Sequence, residues 1–403
     1  MTKQITLSLL VLLMSHVFGF ATETDDYRFP SNSDAFMKEL KDFMTKSKNA
    51  ELIEVYHDFE QAVEKGTYAN QEMDIIINTS NTMLEYKLKA SPYFGSYIRS
   101  VTNIKANKCV YLRFVDWHET INQILTHTQG RKFKPFKVFL DFSDNFFKNN
   151  VLYMSASGQS WRAFTEDVVI QYGEEGPYVE FAEADLVCMR KKNRIKIDEC
   201  SGVYYPVQNK WVGKGGTANW GRFGMGKVRC EFEDFVLDVK KGLYTVKNAR
   251  LYYDEFFGGQ AILGTFQDKV LVENKATEAS YPRFESYEKI LRIPNLGKGV
   301  SYKGGFKLHG TKVYGFGDKT QKAMVTVQGN GEVDAFRASA ELFIIHKGEK
   351  ITGEEVATVL LVDGDSIYHP AVKMNFNIEK GRLLLTRGKR GSNRFPFYSS
   401  FHN

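Results

Sequence analysis

The chain has 403 residues, a formal charge of +6, 43% hydrophobic and 25% charged residues. That length exceeds one ordinary core and that composition excludes a disordered chain, so two or more packing units are expected. Part of the basic excess comes from local clusters, such as Arg190, Lys191, Lys192 and Arg194, and Arg387, Lys389, Arg390 and Arg394. It is too thin for the concentrated basic face of a nucleic-acid binder; solubility and turn chemistry account for it, and it is also compatible with a mild preference for anionic envelope surfaces.

Lys3 opens the chain with a positive charge, and an apolar run from Ile5 to Phe20 follows. Gly19 and Ala21 are small residues at its end, and Glu23, Asp25 and Asp26 come next. This predicts a secretory signal peptide over 1–21, a mature start near Thr22, and no membrane span in the mature chain. Residues 22–32 read as a linker.

From 33 to 150 the hydrophobic period is helical. Ser33 is placed to cap a first helix that aligns Phe36, Met37, Leu40, Phe43 and Met44. Asn49 caps a second, with Leu52, Tyr56, Phe59 and Val63 inward and Gly66 as its stop. Asn70 opens a third, and Ser91-Pro92 starts a fourth. Segments around Trp117–Thr128 and Pro135–Lys148 continue the pattern. No such helix buries its face alone, so helical hairpins or a small helical solenoid are expected.

After Val151 the period becomes two. Strands are expected at Val168–Tyr172, Tyr178–Met189, Val228–Val239, Leu243–Tyr253, Ala261–Val272, Lys322–Val327 and Asp334–His346. Further strands are expected at Val356–Val362, Val372–Ile378 and Arg382–Thr386. Turns fall at Lys240-Lys241-Gly242, Gly258-Gly259, Gly329-Asn330-Gly331 and Glu379-Lys380-Gly381. The fold class is therefore α+β: a helical domain over 33–150, then an antiparallel β-rich stack over 151–403, solenoid or sandwich-like. The aromatic ending Phe395–Phe401 reads as the start of another unit, as if the chain continued in a longer protein.

The aromatic share of 14%, with 31 Phe and 21 Tyr, fits half-buried strands and also surfaces that handle sugars or lipids. Cys109, Cys188, Cys200 and Cys230 allow up to two disulfides in an exported chain, and their spacing has no zinc pattern. Cys188 and Cys200 flank a basic turn, near each other but not opposite.

The stretch Trp211–Gly224 reads as a glycine-rich loop. Lys214 precedes Gly215-Gly216, so it is not a phosphate loop. Trp211, Trp220 and Phe223 remain as a ligand-contact loop for glycan or lipid, or as rings that pin the loop to a sheet. Asp363–Pro370 places Asp363, Asp365, Ser366 and His369 close together, but lacks the other ligands of a calcium loop and any nucleophile elbow. A turn between strands accounts for it. Glu231/Glu233 and Glu354/Glu355 are adjacent acids with no glycosidase spacing readable from sequence. No catalytic, cofactor-binding or metal-binding residue is assigned.

At Trp211–Gly224, Tyr302–Gly310 and Asp365–Pro370 the chain resembles large uncharacterised exported envelope proteins of Gram-negative bacteria. Those combine a signal peptide, a helical N-terminal region and a long run of β-units. The resemblance implies that architecture and no particular activity. The β-units also resemble the stacked folds of lipopolysaccharide-transport proteins, an architectural likeness only. The expected role is a non-enzymatic structural or binding protein of the envelope, in the periplasm, at the outer membrane or outside the cell. Its partners would be envelope proteins, glycans or lipids. The alternatives are a lipid or glycan carrier with an apolar β-groove and a carbohydrate-active enzyme.

Overall fold

The computed structural model describes residues 27–106, 111–128, 133–271, 276–329, 333–388 and 396–400. The signal peptide, Cys109, the tip of the Gly329–Gly331 turn and the basic segment 389–395 lie outside them. The chain divides into two compact units, one ending at Thr102 and the other beginning at Asn103.

The first unit is helical. α1 (Ser33–Thr45) is capped by Asn32 rather than Ser33: the Asn32 side chain accepts from Ala35 N at 3.0 Å, and Ser33 is already helical. Asn49 caps α2 (Ala50–Glu64) as expected, accepting from Glu51 N and Leu52 N, and Gly66 follows the helix at φ +67°. Ala69 N–H donates to the Glu72 carboxylate at the start of α3 (Asn70–Glu85). Ser91 is extended, and the chain turns through Pro92 into α4 (Gly95–Ala106). Phe36, Leu40, Met44, Phe59 and Ile76 are fully buried, on the faces that the helical period marks.

The second unit opens with α5 (Tyr111–His127) and α6 (Lys134–Asn149), then turns to strand at Val151. Asn150 makes that turn in a left-handed conformation, φ +58°. Here the helices do not form a separate body from the strands. Phe142 of α6 packs on Tyr204 at 5.3 Å and Phe146 on Phe181 at 5.7 Å, both on strands.

All strands pair antiparallel in one continuous sheet. β1 (Val151–Met154) pairs with β2 (Gln159–Phe164). β2 and β3 (Val169–Gly173) flank opposite ends of the long β4 (Gly176–Arg190). β4 leads to β5 (Asn193–Tyr205) and β6 (Lys210–Trp220). β6 pairs with both β7 (Met225–Glu231) and β8 (Asp234–Asp238), and β7 passes the ladder to β9 (Leu243–Tyr252). β10 (Ala261–Lys269) joins β11 (Arg283–Ser286), and β11 and β12 (Leu291–Gly297) share one side of β13 (Val300–His309). On its other side lie β14 (Lys312–Phe316) and β15 (Ala323–Gln328), next to β17 (Leu342–His346) and β16 (Asp334–Ala340). Both of the latter meet β18 (Lys350–Val362), followed by β19 (Asp365–Asn377) with β20 (Arg382–Arg387) and β21 (Tyr398–Ser399).

Neighbours in sequence are thus neighbours in space. Left-handed residues at Glu199, Gly215, Gly216, Asn248 and Glu355 interrupt the long strands and bend them. The early strands curl far enough for Trp161 Nε1 on β2 to donate to Lys241 O after β8, at 2.8 Å.

Two expected strands are each a broken pair. Val228–Val239 splits at Phe232–Glu233, where Phe232 N and Gly215 N exchange bonds with Gly216 O and Glu233 O across the bend. Asp334–His346 splits at Glu341, whose carbonyl accepts from Gly317 N. The extra residue shifts the parity, so Leu342 is 46% exposed while Phe343 and Ile345 face the core.

Trp211–Gly224 is a strand for most of its length, not a loop. Trp211 and Trp220 are 0% exposed. Its glycines serve close packing: a Cβ on Gly213 would meet the Phe235 ring at 2.3 Å, and one on Gly216 would meet Cys200 Cβ at 2.8 Å. The interior is a chain of rings: Trp161–Tyr244 at 5.9 Å, Tyr244–Phe266 at 5.8 Å, Trp220–Phe266 at 5.6 Å.

Cys188, Cys200 and Cys230 are free thiols in this core. Cys188 stands opposite Ile195 and Cys200 opposite Ala184, so the register keeps them unbridged. Burial, with the charge of nearby carboxylates, pushes Cys188 and Cys200 up to about 12 and raises Cys230 as well. Peptide mapping after maleimide treatment of the native protein at about pH 8 is expected to leave all three unmodified, and to label them after unfolding. Labelling in the native state would contradict their burial.

Candidate functional site

The sequence-marked residues separate into two kinds once placed. Asp363 and Gly364, at φ +49° and +91°, form the two-residue turn joining β18 to β19. His369 is 4% exposed, and its Nδ1 accepts from Ala371 N at 3.1 Å. Asp365 Oδ1 accepts from Ser400 Oγ. Three of the four paired acids are held in ion pairs: Glu231 with Arg229, Glu233 with Arg250, Glu354 with Lys373. Among the described residues no group of three or more His, Cys, Asp or Glu could hold a metal ion. The indoles of Trp211 and Trp220 offer no accessible face to a ligand, whereas Phe223 is half-buried.

Several hollows mark the surface of the second unit, among them one of about 450 Å³ beside Arg283, Glu285 and His309. Of the others, one of about 740 Å³ lies where α5 meets the β3–β4 hairpin, beside the stacked rings of His127 and Tyr172. A second, of about 720 Å³, is an acidic groove lined by Glu166, Asp167, Glu183, Asp185, Asp198 and Glu199. Lys196 bridges Asp185 and Asp198 there. A third, of about 220 Å³, brings together two separate features of the sequence: the basic turn and Phe223.

That third pocket is built from three elements. Arg190 pairs with Asn193, so Lys191 and Lys192 form a two-residue hairpin turn, with Lys191 left-handed at φ +55°. The turn places Lys192 and Arg194 at the pocket. A short helical turn, Gly221–Phe223, ends at left-handed Gly224 and supplies Arg222 and Phe223. The end of β10 supplies Lys269, and Val270 and Leu271 complete the wall with Ile195.

Arg222 is fixed. Its two guanidinium nitrogens donate to the two oxygens of Asp268 at 2.9 and 2.7 Å, and Asp268 is 2% exposed. The fork geometry locks the guanidinium plane. The same group lies 5.0 Å from the Phe223 ring centre. Asp268 offsets the charge of Arg222. Among the described residues, Lys192, Arg194 and Lys269 have no ion-pair partner and no carboxylate lines the pocket.

The basic turn was legible in the sequence, and so was Phe223. Lys269 was not: a lone lysine at a strand end carries no signal, and only the curl of the sheet brings it within reach. No helix among the described residues is long and apolar enough to cross a membrane, which leaves strands unaddressed. No known protein family, curated protein or solved structure matches this chain.

Proposed function

We propose that the chain is an exported, non-enzymatic binding protein of the bacterial cell envelope, whose β-sheet is a self-filled scaffold presenting ligand-contact surfaces. Export rests on the apolar run Ile5–Phe20 with its positive start and small-residue end. The observation that carries the scaffold reading is the interior: Trp161, Trp211, Trp220, Tyr204, Phe266 and Phe284 are each 0–2% exposed and occupy the space that a carrier would leave for an acyl chain. Its binding role draws on the cationic pocket at the β4–β5 turn.

The test is to express the chain in a Gram-negative host, fractionate the cells, and extract the purified protein with organic solvent for lipid mass spectrometry. The expected result is envelope material lacking the first residues up to about Ala21, with less than one lipid per chain. Retention of Met1 on cytosolic protein would end the export reading. One or more lipids per chain, lost in variants that enlarge core side chains, would favour the groove carrier instead.

A further inference from the structure

We infer that the pocket formed by Lys192, Arg194, Arg222 and Lys269, with Phe223 at its side, binds a phosphate-bearing group whose organic part rests on the Phe223 ring. This names the ligand class for the binding role proposed above and rests on that reading; it does not depend on export.

Charge comes first. Lys192, Arg194 and Lys269 converge from the β4–β5 turn and the end of β10, and no carboxylate among the described residues lines the cavity to neutralise them. Like charges that line one cavity repel one another, and solvent screening lowers that cost without removing it. A dianionic group offsets several of these charges at once, which a single carboxylate does less well. Arg222 contributes differently. Asp268 already satisfies its charge and holds both guanidinium nitrogens, so it acts as a fixed wall.

Size and surface narrow the class. About 220 Å³ accommodates one phosphorylated headgroup or sugar phosphate and is small for an extended polyanion. The half-buried Phe223 ring beside Val270 and Leu271 gives an apolar seat for a sugar face or the first carbons of a lipid. The acidic groove of the same unit has the opposite sign, so the preference is local and not a consequence of the net charge.

Calorimetric titration of the full chain with inorganic phosphate and glucose 1-phosphate, together with co-sedimentation on phosphatidylcholine vesicles with and without phosphatidate, tests the inference. Saturable binding is expected, weakened about tenfold or more by Arg194→Gln or Lys269→Gln. Lys303→Gln and Lys380→Gln, which remove the same charge elsewhere, are expected to leave it unchanged. Phe223→Ala is expected to weaken glucose 1-phosphate and spare inorganic phosphate. Binding of the soluble ester identifies a free phosphate source, and binding only to phosphatidate vesicles identifies a lipid headgroup; either supports the pocket. Equal loss in both sets of lysine and arginine variants, or absence of saturation with every probe, would overturn it. Thermal melts of each variant confirm folding, so a loss of binding is not read from an unfolded chain.

Discussion

Replacing Trp220 by alanine is expected to destabilise the second unit by about 3–5 kcal/mol, the range for removing a large buried aromatic. Trp220 ends β6, is 0% exposed and meets Phe266 edge-on at 5.6 Å. Phe266 in turn touches Tyr244 and Phe232, so the cavity would open in the middle of the ring chain, where little can relax into it. A second substitution separates packing from polar contributions. Trp220 Nε1 is buried with no hydrogen-bond partner. Trp220→Phe therefore breaks no bond and removes an unpaired donor, so its cost should be well under half that of alanine. Trp161 is the contrast: its Nε1 donates to Lys241 O at 2.8 Å, and Trp161→Phe strands that carbonyl. Urea melts of the four variants, Trp220→Ala, Trp220→Phe, Trp161→Ala and Trp161→Phe, give the comparison. A Trp220→Ala protein as stable as the parent would contradict the packing role.

The same residue shows how far the sequence was readable. Helix faces such as Phe36, Leu40 and Met44 stand out because their spacing is a local property, and each helix keeps its own period. Strands such as β9 and β19 stand out for the same reason, by alternation of two. What failed was local information about non-local partners. The glycines of β6 resemble a loose loop, yet Gly213 and Gly216 exist to admit Phe235 and Cys200 from strands on either side. The breaks at Phe232–Glu233 and Glu341 hide within runs that alternate apolar and polar residues, because bulge position is dictated by the bend of the adjoining strands. The candidate pocket was half legible. Lys192, Arg194 and Phe223 are distinctive in sequence, but their union with Lys269 depends on the curl that brings β2 to the β8–β9 turn, a long-range fact. The helical period also marks α5 and α6, but that their rings pack on strands is a tertiary matter that local spacing does not carry.

Acid should weaken the second unit well above the range where carboxylates protonate, and His118 is the cause. It sits on α5 at 1% exposure, its ring 4.3 Å from Phe114 and 4.7 Å from Trp117. Burial lowers its pKa from 6.5 to about 4, against a smaller opposing effect of the hydrogen bond from Nδ1 to Phe114 O. The folded state thus holds the ring neutral where the unfolded chain would already protonate it. Between pH 6.5 and 4 the unfolded state binds more protons, so stability is complete above about pH 6.5 and falls as pH drops toward 4. The gap of two to three pH units corresponds to roughly 3 kcal/mol. His309 adds a loss of the same sign, because burial and the nearby Arg283 and Lys307 charges lower it too. Asp318 acts in a separate window: hydrogen bonds from Thr320, Gln321 and Lys289 hold it well below 3.8, so its contribution is lost only under stronger acid. His118→Gln removes the titration and keeps a neutral donor for Phe114 O. Chemical melts at intervals between pH 7 and 4 should show the parent losing stability faster than the variant, by about 1 kcal/mol per pH unit at the steepest point. Parallel curves for the two proteins would mean that the buried imidazole does not control the acid limb.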